Sequence, residues 1–304
     1  MRLSKRDTEK VTRRILEKLN SGTIPWKQPY KGGLAPMNIT TGTIYSGVNR
    51  LVTHPMVSGY SSPLWITHNA AKQWEDKDGK KTGGHVRPGE KATFIVAPRE
   101  IKDKSTGEVK GIHFTTTWVF NVEQCENLDI EEAEARVIVE NKNASQLIGD
   151  YRQMPPVRVM DCTPGYAPRL DEIRMPPREN FHSDNEYYAT LFHEMAHSTG
   201  HDKRLARDLK SFNENAHAYS KEELIAEITS AYLCSHCGID AIENSAAYID
   251  GWRSKLSDHP EIILEAASDA DQAYRYILQE EPCNGSRNKK SPQAEAQSSQ
   301  SPVS

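Results

Sequence analysis

Apolar positions recur along this chain with two different periods, and the places where the period changes divide it into elements. Over residues 4–21, Val11, Ile15, Leu16 and Leu19 fall on one helical face, with Lys10, Arg13, Arg14 and Lys18 around the rest. This spacing predicts an amphipathic helix, closed by Gly22. Residues 23–63 are rich in Gly, Pro and Asn and follow neither period. "SSPLWITHNAAKQW" then predicts a short helix capped near Thr67. "ATFIVAP" and "HFTTTWVFNV" read as two strands of a hairpin, separated by the charged tip "KDKSTGEVKG".

Past Gln124 the pattern changes again. Glu126 to about Ala135 is acidic and predicts a bridge, followed by short strand-like pieces that include "DEIRMP". Helical periodicity then takes over at 184–199, 221–237, 245–257 and 260–280. A few strands followed by several helices describe helices packed on one side of a small sheet. The expected class is therefore α+β, with a mixed domain over 1–125, a connecting segment over 126–149 and a mainly helical domain with a small sheet over 150–283. Residues 284–304 have almost nothing to bury and are expected to be disordered. A chain of 304 residues has room for two domains, each with its own core.

Charge sharpens this division. The net charge of −4 hides 20 Lys/Arg against 11 Asp/Glu in residues 1–125, and 18 against 31 in residues 126–304. A basic first half suggests a polyanionic partner. No apolar run approaches the roughly 18–20 residues of a membrane helix, and the N-terminus lacks the apolar core of a signal peptide, so a cytoplasmic protein with no membrane partner is expected. Five scattered cysteines agree with a reducing compartment. Cys234 and Cys237 form a C-x-x-C inside a predicted helix with no second pair, which points to packing rather than zinc.

The densest chemistry lies in "SDNEYYATLFHEMAHSTGH". Ser183 and Glu186 match a capping box and Gly200 supplies a stop, so this stretch is predicted as helix. His193 and His197, four apart, share one face, where two imidazoles can hold one metal ion. Glu194 stands beside them as the general base of metal-assisted hydrolysis. The competing reading is that these are ordinary packed histidines. A third ligand is needed. His201 follows too closely for the longer H-E-x-x-H-x-x-G-x-x-H pattern, whose last position falls on Lys203. The next helix, "SKEELIAEITSAY", offers Glu223 and Glu227 on one face. It resembles the glutamate-ligand zincins, which implies Glu223 as ligand and Glu227 as the carboxylate that orients a histidine. Ser220 and Glu223 also match a capping box, in which case Glu227 would be the ligand. The ion expected is one divalent metal, Zn2+ by default with Mn2+ as the alternative.

In the basic half, cations are interleaved with Trp26, Tyr30, Tyr45, Tyr60, Trp65, Trp74 and Trp118. Phosphate-tracking cations plus rings on which bases stack are what single-strand binding requires, although such charges can also be a solvated helix face and such rings core. Candidate DNA contacts are Arg13, Arg14, Lys27, Asn49 and Lys91, with Trp26, Tyr45 and Trp65 as stacking rings. "GTIPWKQPY", "MNITTGTIYSGVN", "PLWITHNAAKQW" and "GGHVRPGEKATFIV" followed by "VFNVEQ" resemble the N-terminal single-stranded-DNA-binding domain of the ArdC antirestriction family. "DEIRMP", "YYATLFHEMAHSTGH", "RL", "EELIAEI" and "AAYIDGW" resemble that family's zincin-type metallopeptidase domain. The resemblance covers nearly the whole chain. It implies single-stranded DNA as a partner, a metal-dependent domain of peptidase type, protection of entering plasmid or phage DNA, and a host restriction protein as a possible target. "LVTHPM" departs from the more aliphatic family pattern. The alternative is a non-catalytic protein that shields DNA and whose metal is structural.

Overall fold

The computed structural model of the chain describes residues 5–22, 35–76, 78–102, 109–128, 130, 143–209, 216–239, 246–258 and 262–280. Trp26, Lys27, most of the acidic connecting segment and the tail over 284–304 lie outside the described residues.

Helix α1 (Lys5–Asn20) forms where the apolar stripe predicted it, burying Ile15 and Leu19 and leaving Arg13 exposed. Strand β1 (Met37–Asn38), helices α2 (Val48–Thr53) and α3 (Pro55–Ser58), and strand β2 (Leu64–Ile66) follow. Helix α4 (His68–Lys72) is capped by Thr67, whose side chain accepts from the Ala70 N–H. The hairpin joins β4 (Thr93–Lys102) to β5 (Val109–Asn121) in the register Thr93↔Val119. These strands form one sheet in the order β1-β2-β5-β4, with β1 parallel to β2 and the rest antiparallel. A small ribbon pairs β3 (His85–Val86) with β6 (Cys125–Glu126). The buried Asn121 side chain donates to the Ser62 carbonyl and caps the turn Val122–Gln124, which fixes the end of β5.

The second half begins with α5 (Ala144–Asp150) and a three-stranded sheet of β7 (Val157–Val159), β9 (Glu172–Met175) and β8 (Gly165–Ala167), in that order. Against it packs α6 (Asp184–Ser198), which carries α7 (Ala216–His236) on its other side; α8 (Ala246–Asp258) and α9 (Ile262–Leu278) complete the half, with α9 lying on α7. Ile173 and Met175 of the central strand are fully buried, as are Phe192 and Met195 of α6. The α+β class and two-part organisation hold.

The expectation of a separate core for each half does not hold. One hydrophobic cluster runs from Ile15, Leu19 and Leu51 to Trp252, Leu256, Ile263 and Ile277. α1 lies against α8, and α2 against α9. The apolar stripe of α1 is covered by α3 from its own half and by α8 from the C-terminal half. At the junction Arg50 of α2 is buried against Asp271 of α9, with Nε 2.9 Å from Oδ1. Its guanidinium lies 4.4 Å from the Tyr274 ring centre and 5.3 Å from that of Tyr232. Burial opposes its charge, but Asp271 and the two phenols hold it protonated. His54, buried beside it, is pushed down to about 3 by desolvation and by Arg50, and is neutral. Among the described residues no helix is long and apolar enough to cross a membrane.

Candidate metal centre

Helix α6 starts where Ser183 accepts from the Glu186 N–H at 3.2 Å. The return arm of the predicted capping box goes elsewhere: the Glu186 carboxylate accepts from the His182 N–H at 2.7 Å. The helix closes at Thr199, and Gly200 just beyond it is needed for close approach rather than as a left-handed stop, since a Cβ there would lie 3.0 Å from the Arg207 guanidinium and 3.0 Å from Leu209.

One turn apart on α6, His193 and His197 bring their Nε2 atoms to 3.1 Å of each other. From α7 the two oxygens of Glu223 reach them, 3.6 Å from His193 Nε2 and 3.5 Å from His197 Nε2. These three offer donor atoms that all lie within 4.8 Å of one another. Two imidazole nitrogens and one carboxylate oxygen aimed at one point are a donor set that fits a divalent ion with a position left open. Glu227 stands on the far side of His193, 3.8 Å from Nδ1. The capping alternative for Glu223 fails because α7 begins at Ala216, so Ser220 is inside the helix and has no orphan N–H groups to cap.

His197 is oriented by a residue that the i, i+4 pattern passes over. Glu222, buried one position before Glu223, lies 3.2 Å from His197 Nδ1. Arg207 holds it with a two-pronged contact, Nε at 2.9 Å and Nη2 at 2.7 Å. Burial works against the Glu222 charge, but Arg207 and His197 keep its pKa below the usual carboxylate range. Arg207 is itself fixed to α6 through Thr199 Oγ1 and the Ala196 carbonyl. The available signal was chemical: a ligating histidine needs a partner for its second nitrogen, and "KEEL" offers two adjacent carboxylates. His201 is turned away toward Asp171 at 3.9 Å and takes no part in the three-residue cluster.

The centre opens into a cleft of about 350 Å3 lined by His193, His197, Glu194, Glu223, Leu209 and, across from them, the β8 segment with Tyr166. Tyr166 donates to Asp171 at 2.8 Å, and Arg204 contacts both while bonding the Ser198 carbonyl at 2.6 Å. This clamp ties the β8–β9 turn to the end of α6. Burial works against a charged His193, yet Glu223, Glu227 and Glu194 lift its pKa to about 9. The same negative field favours a cation. Because a protonated imidazole cannot ligate, the apparent metal affinity should rise about tenfold per pH unit from neutrality toward 9 and flatten above it. Competition with a chelator of known affinity at several pH values measures this slope; a flat profile from neutrality upward would mean that the carboxylates do not hold His193 protonated there.

Residues 5–140 match the N-terminal domain of anti-restriction factor ArdC, and residues 149–269 match a zincin-like metallopeptidase domain. The crystal structure of the metal-free antirestriction protein ArdC from plasmid R388 aligns with a TM-score of 0.67 at 31% identity, over 90% of this chain and 97% of that one. The chain belongs to the ArdC antirestriction family. The Mn(II)-bound structure of the R388 protein gives 0.69 at 30% identity. A DNA primase TraC of Escherichia coli is 32% identical over 89% of this chain, but the match spans 20% of that protein; in a second TraC it spans 27%. The uncharacterized protein y4eC of Sinorhizobium fredii is 28% identical over 87% of this chain and 89% of its own length. An ArdC-type fold with a zincin-like domain and a site suited to a divalent metal is thus established for this chain.

The expected DNA contacts of this ArdC-family chain fare unevenly. Arg13 and Lys91 are exposed, as a phosphate contact requires; Arg14 is on α1, and its side chain is outside the described set. Tyr45 and Trp65 are corrections. Trp65 is fully buried on β2 and Tyr45 is buried against the same core, with burial raising its phenol to about 12, so neither ring has a face to offer a base. Asn49 is also used inside: its side chain donates to the Val96 carbonyl at 2.8 Å and accepts from the Val96 N–H at 2.7 Å, closing the edge of β4.

Proposed function

We propose that this chain is an antirestriction protein that binds single-stranded DNA through its N-terminal half and carries a metal-dependent peptidase centre in its C-terminal half, protecting incoming plasmid or phage DNA. The observation that carries the catalytic part is the convergence of His193, His197 and Glu223 beside Glu194 in an open cleft. His193, His197 and Glu223 would hold the ion, Zn2+ by the donor set and with Mn2+ supported by the R388 relative. When bound, a divalent ion supplies Lewis-acid polarisation of a carbonyl and activation of water.

The chain's own residues do the rest. Glu194, largely buried at the cleft wall, takes the proton of the attacking water and passes it to the leaving amine. Glu222 and Arg207 fix the His197 ring. Tyr166, whose phenol is kept protonated by burial and by Asp171, lines the opposite wall where a polypeptide would lie. Tyr219, one turn before Glu223 on α7, is raised by that carboxylate and is likewise protonated. A host restriction protein is the substrate that the antirestriction role favours.

The test is incubation of purified protein with restriction proteins, with and without single-stranded DNA and chelator. Glu194→Gln should abolish cleavage, a loss on the order of 100-fold or more for a missing general base, while metal content stays at the wild-type level. Cleavage that survives Glu194→Gln would remove the peptidase mechanism. Protection that survives it, without cleavage by the native protein, would make the metal structural.

A further inference from the structure

Trp118 lies on β5, and half of its surface is exposed, in contrast to Trp65 at 0% and Trp252 at 5%. A strand sends alternate side chains to opposite faces, so Thr116, Trp118 and Phe120 share one face while Thr117, Val119 and Asn121 share the other. The second face is the core face, with Val119 and Asn121 fully buried. The first is open along β5, where Thr116 and Trp118 are exposed and Phe120 is half-buried, while the residues opposite them, Val96, Phe94 and Ile66, are buried. Phe94, directly across on β4, supports the Trp118 ring edge-on at 6.5 Å, so the indole is braced. Phe120 is flanked by the His68 ring of α4 at 6.3 Å.

This face is a row of rings set in an uncharged strand segment, since Thr115–Asn121 contains no ionisable group. Cations border it. Lys72 is exposed one helical turn beyond His68, and Lys91 is exposed just before β4, where Gln124 at the end of β5 binds its carbonyl. The half that carries the face has 20 Lys/Arg against 11 Asp/Glu. Neighbouring ring positions on one strand face are about 6.8 Å apart, two strand residues, so successive bases can be received side by side. A base inside a duplex cannot present its face to a sheet, whereas an unpaired one can.

We infer that the β5 face centred on Trp118, with Phe120 and His68 beside it and Lys72 and Lys91 at its border, is the platform on which unpaired bases of single-stranded DNA stack. This rests on the single-strand reading above and replaces Tyr45 and Trp65 as the stacking rings.

The test uses the full chain and a dye-labelled oligo(dT), followed by anisotropy over a range of salt. Trp118→Ala should weaken binding about 5- to 100-fold, the worth of one stacked base, with the salt slope unchanged because no phosphate contact is lost. Trp118→Phe should retain most of the affinity. Lys72→Ala and Lys91→Ala should instead each lower the slope by about one. Native tryptophan emission should be quenched by oligo(dT), and Trp118→Phe should remove most of that quench. Wild-type affinity in Trp118→Ala overturns the platform and leaves the DNA reading standing; no binding by the native chain overturns both. A changed salt slope in Trp118→Ala, or displacement by duplex as effective as by single strand, also overturns it. Should Trp118→Ala melt below the native chain, the quench decides, and its absence overturns the platform.

Discussion

Alanine at His193 or His197 should lower bound metal from about one ion per chain to near zero, because a three-ligand site that loses one ligand holds too little. Glu223→Gln should be nearly as severe, since its two oxygens face both Nε2 atoms at 3.6 and 3.5 Å. Glu222→Gln and Glu227→Gln should be milder, about 10- to 100-fold, the usual worth of a residue that orients a ligand. Of these two, Glu222 should cost more. It touches its histidine at 3.2 Å against 3.8 Å for Glu227, and its replacement also takes from Arg207 a carboxylate held by two contacts. Zinc titration of all five variants in one chelator series gives the order. A larger loss at Glu227 than at Glu223 would make Glu227 the ligand.

This ordering shows which parts of the site can be read from sequence. The pair His193 and His197 is legible because a helix with a Ser183 cap fixes their face by rotation alone. Glu223 is legible once α7 is recognised, but its separation from the capping alternative depends on where α7 starts, and the sequence offers cap residues at both Asn215 and Ser220 without choosing between them. Glu222 was hidden because it is about 100° round the helix from Glu223, and only the crossing of α6 over α7 decides which of two adjacent carboxylates meets an Nδ1.

In the N-terminal half the difficulty is of another kind. Helix α1, the Thr67 cap and the β4–β5 hairpin follow from local pattern. The exposure of an aromatic ring does not. Trp65 and Trp118 both sit on strands of one sheet, and they differ in whether their side of it faces the core. That depends on the register between β2, β5 and β4, a property of pairs of strands rather than of either sequence.

Asp271→Leu should be the most damaging single change outside the metal centre, costing about 3–5 kcal/mol of unfolding free energy, because it leaves Arg50 charged and buried without its carboxylate. Arg50→Met should cost less. Asp271 then keeps Arg275, whose Nε and Nη2 are 3.0 and 2.9 Å away, and what is lost is the packing of the guanidinium against Tyr232 and Tyr274. The double variant should recover a large part of the Asp271→Leu loss, since removing both charges removes the desolvation penalty along with the attraction. Urea unfolding of the metal-free chain provides the measurement. Because Arg50 and Asp271 come from different halves and one hydrophobic cluster joins them, each variant should unfold in one cooperative transition shifted as a whole. Two transitions in the native chain, with only the second moved by Asp271→Leu, would mean that the halves hold separate cores after all. The shared core also bears on the metal. Tyr232 lies on the same helix as Glu222 and Glu223, so the junction braces α7 from the side opposite the cleft. Asp271→Leu should therefore weaken zinc binding as well as stability, whereas the double variant should restore both together.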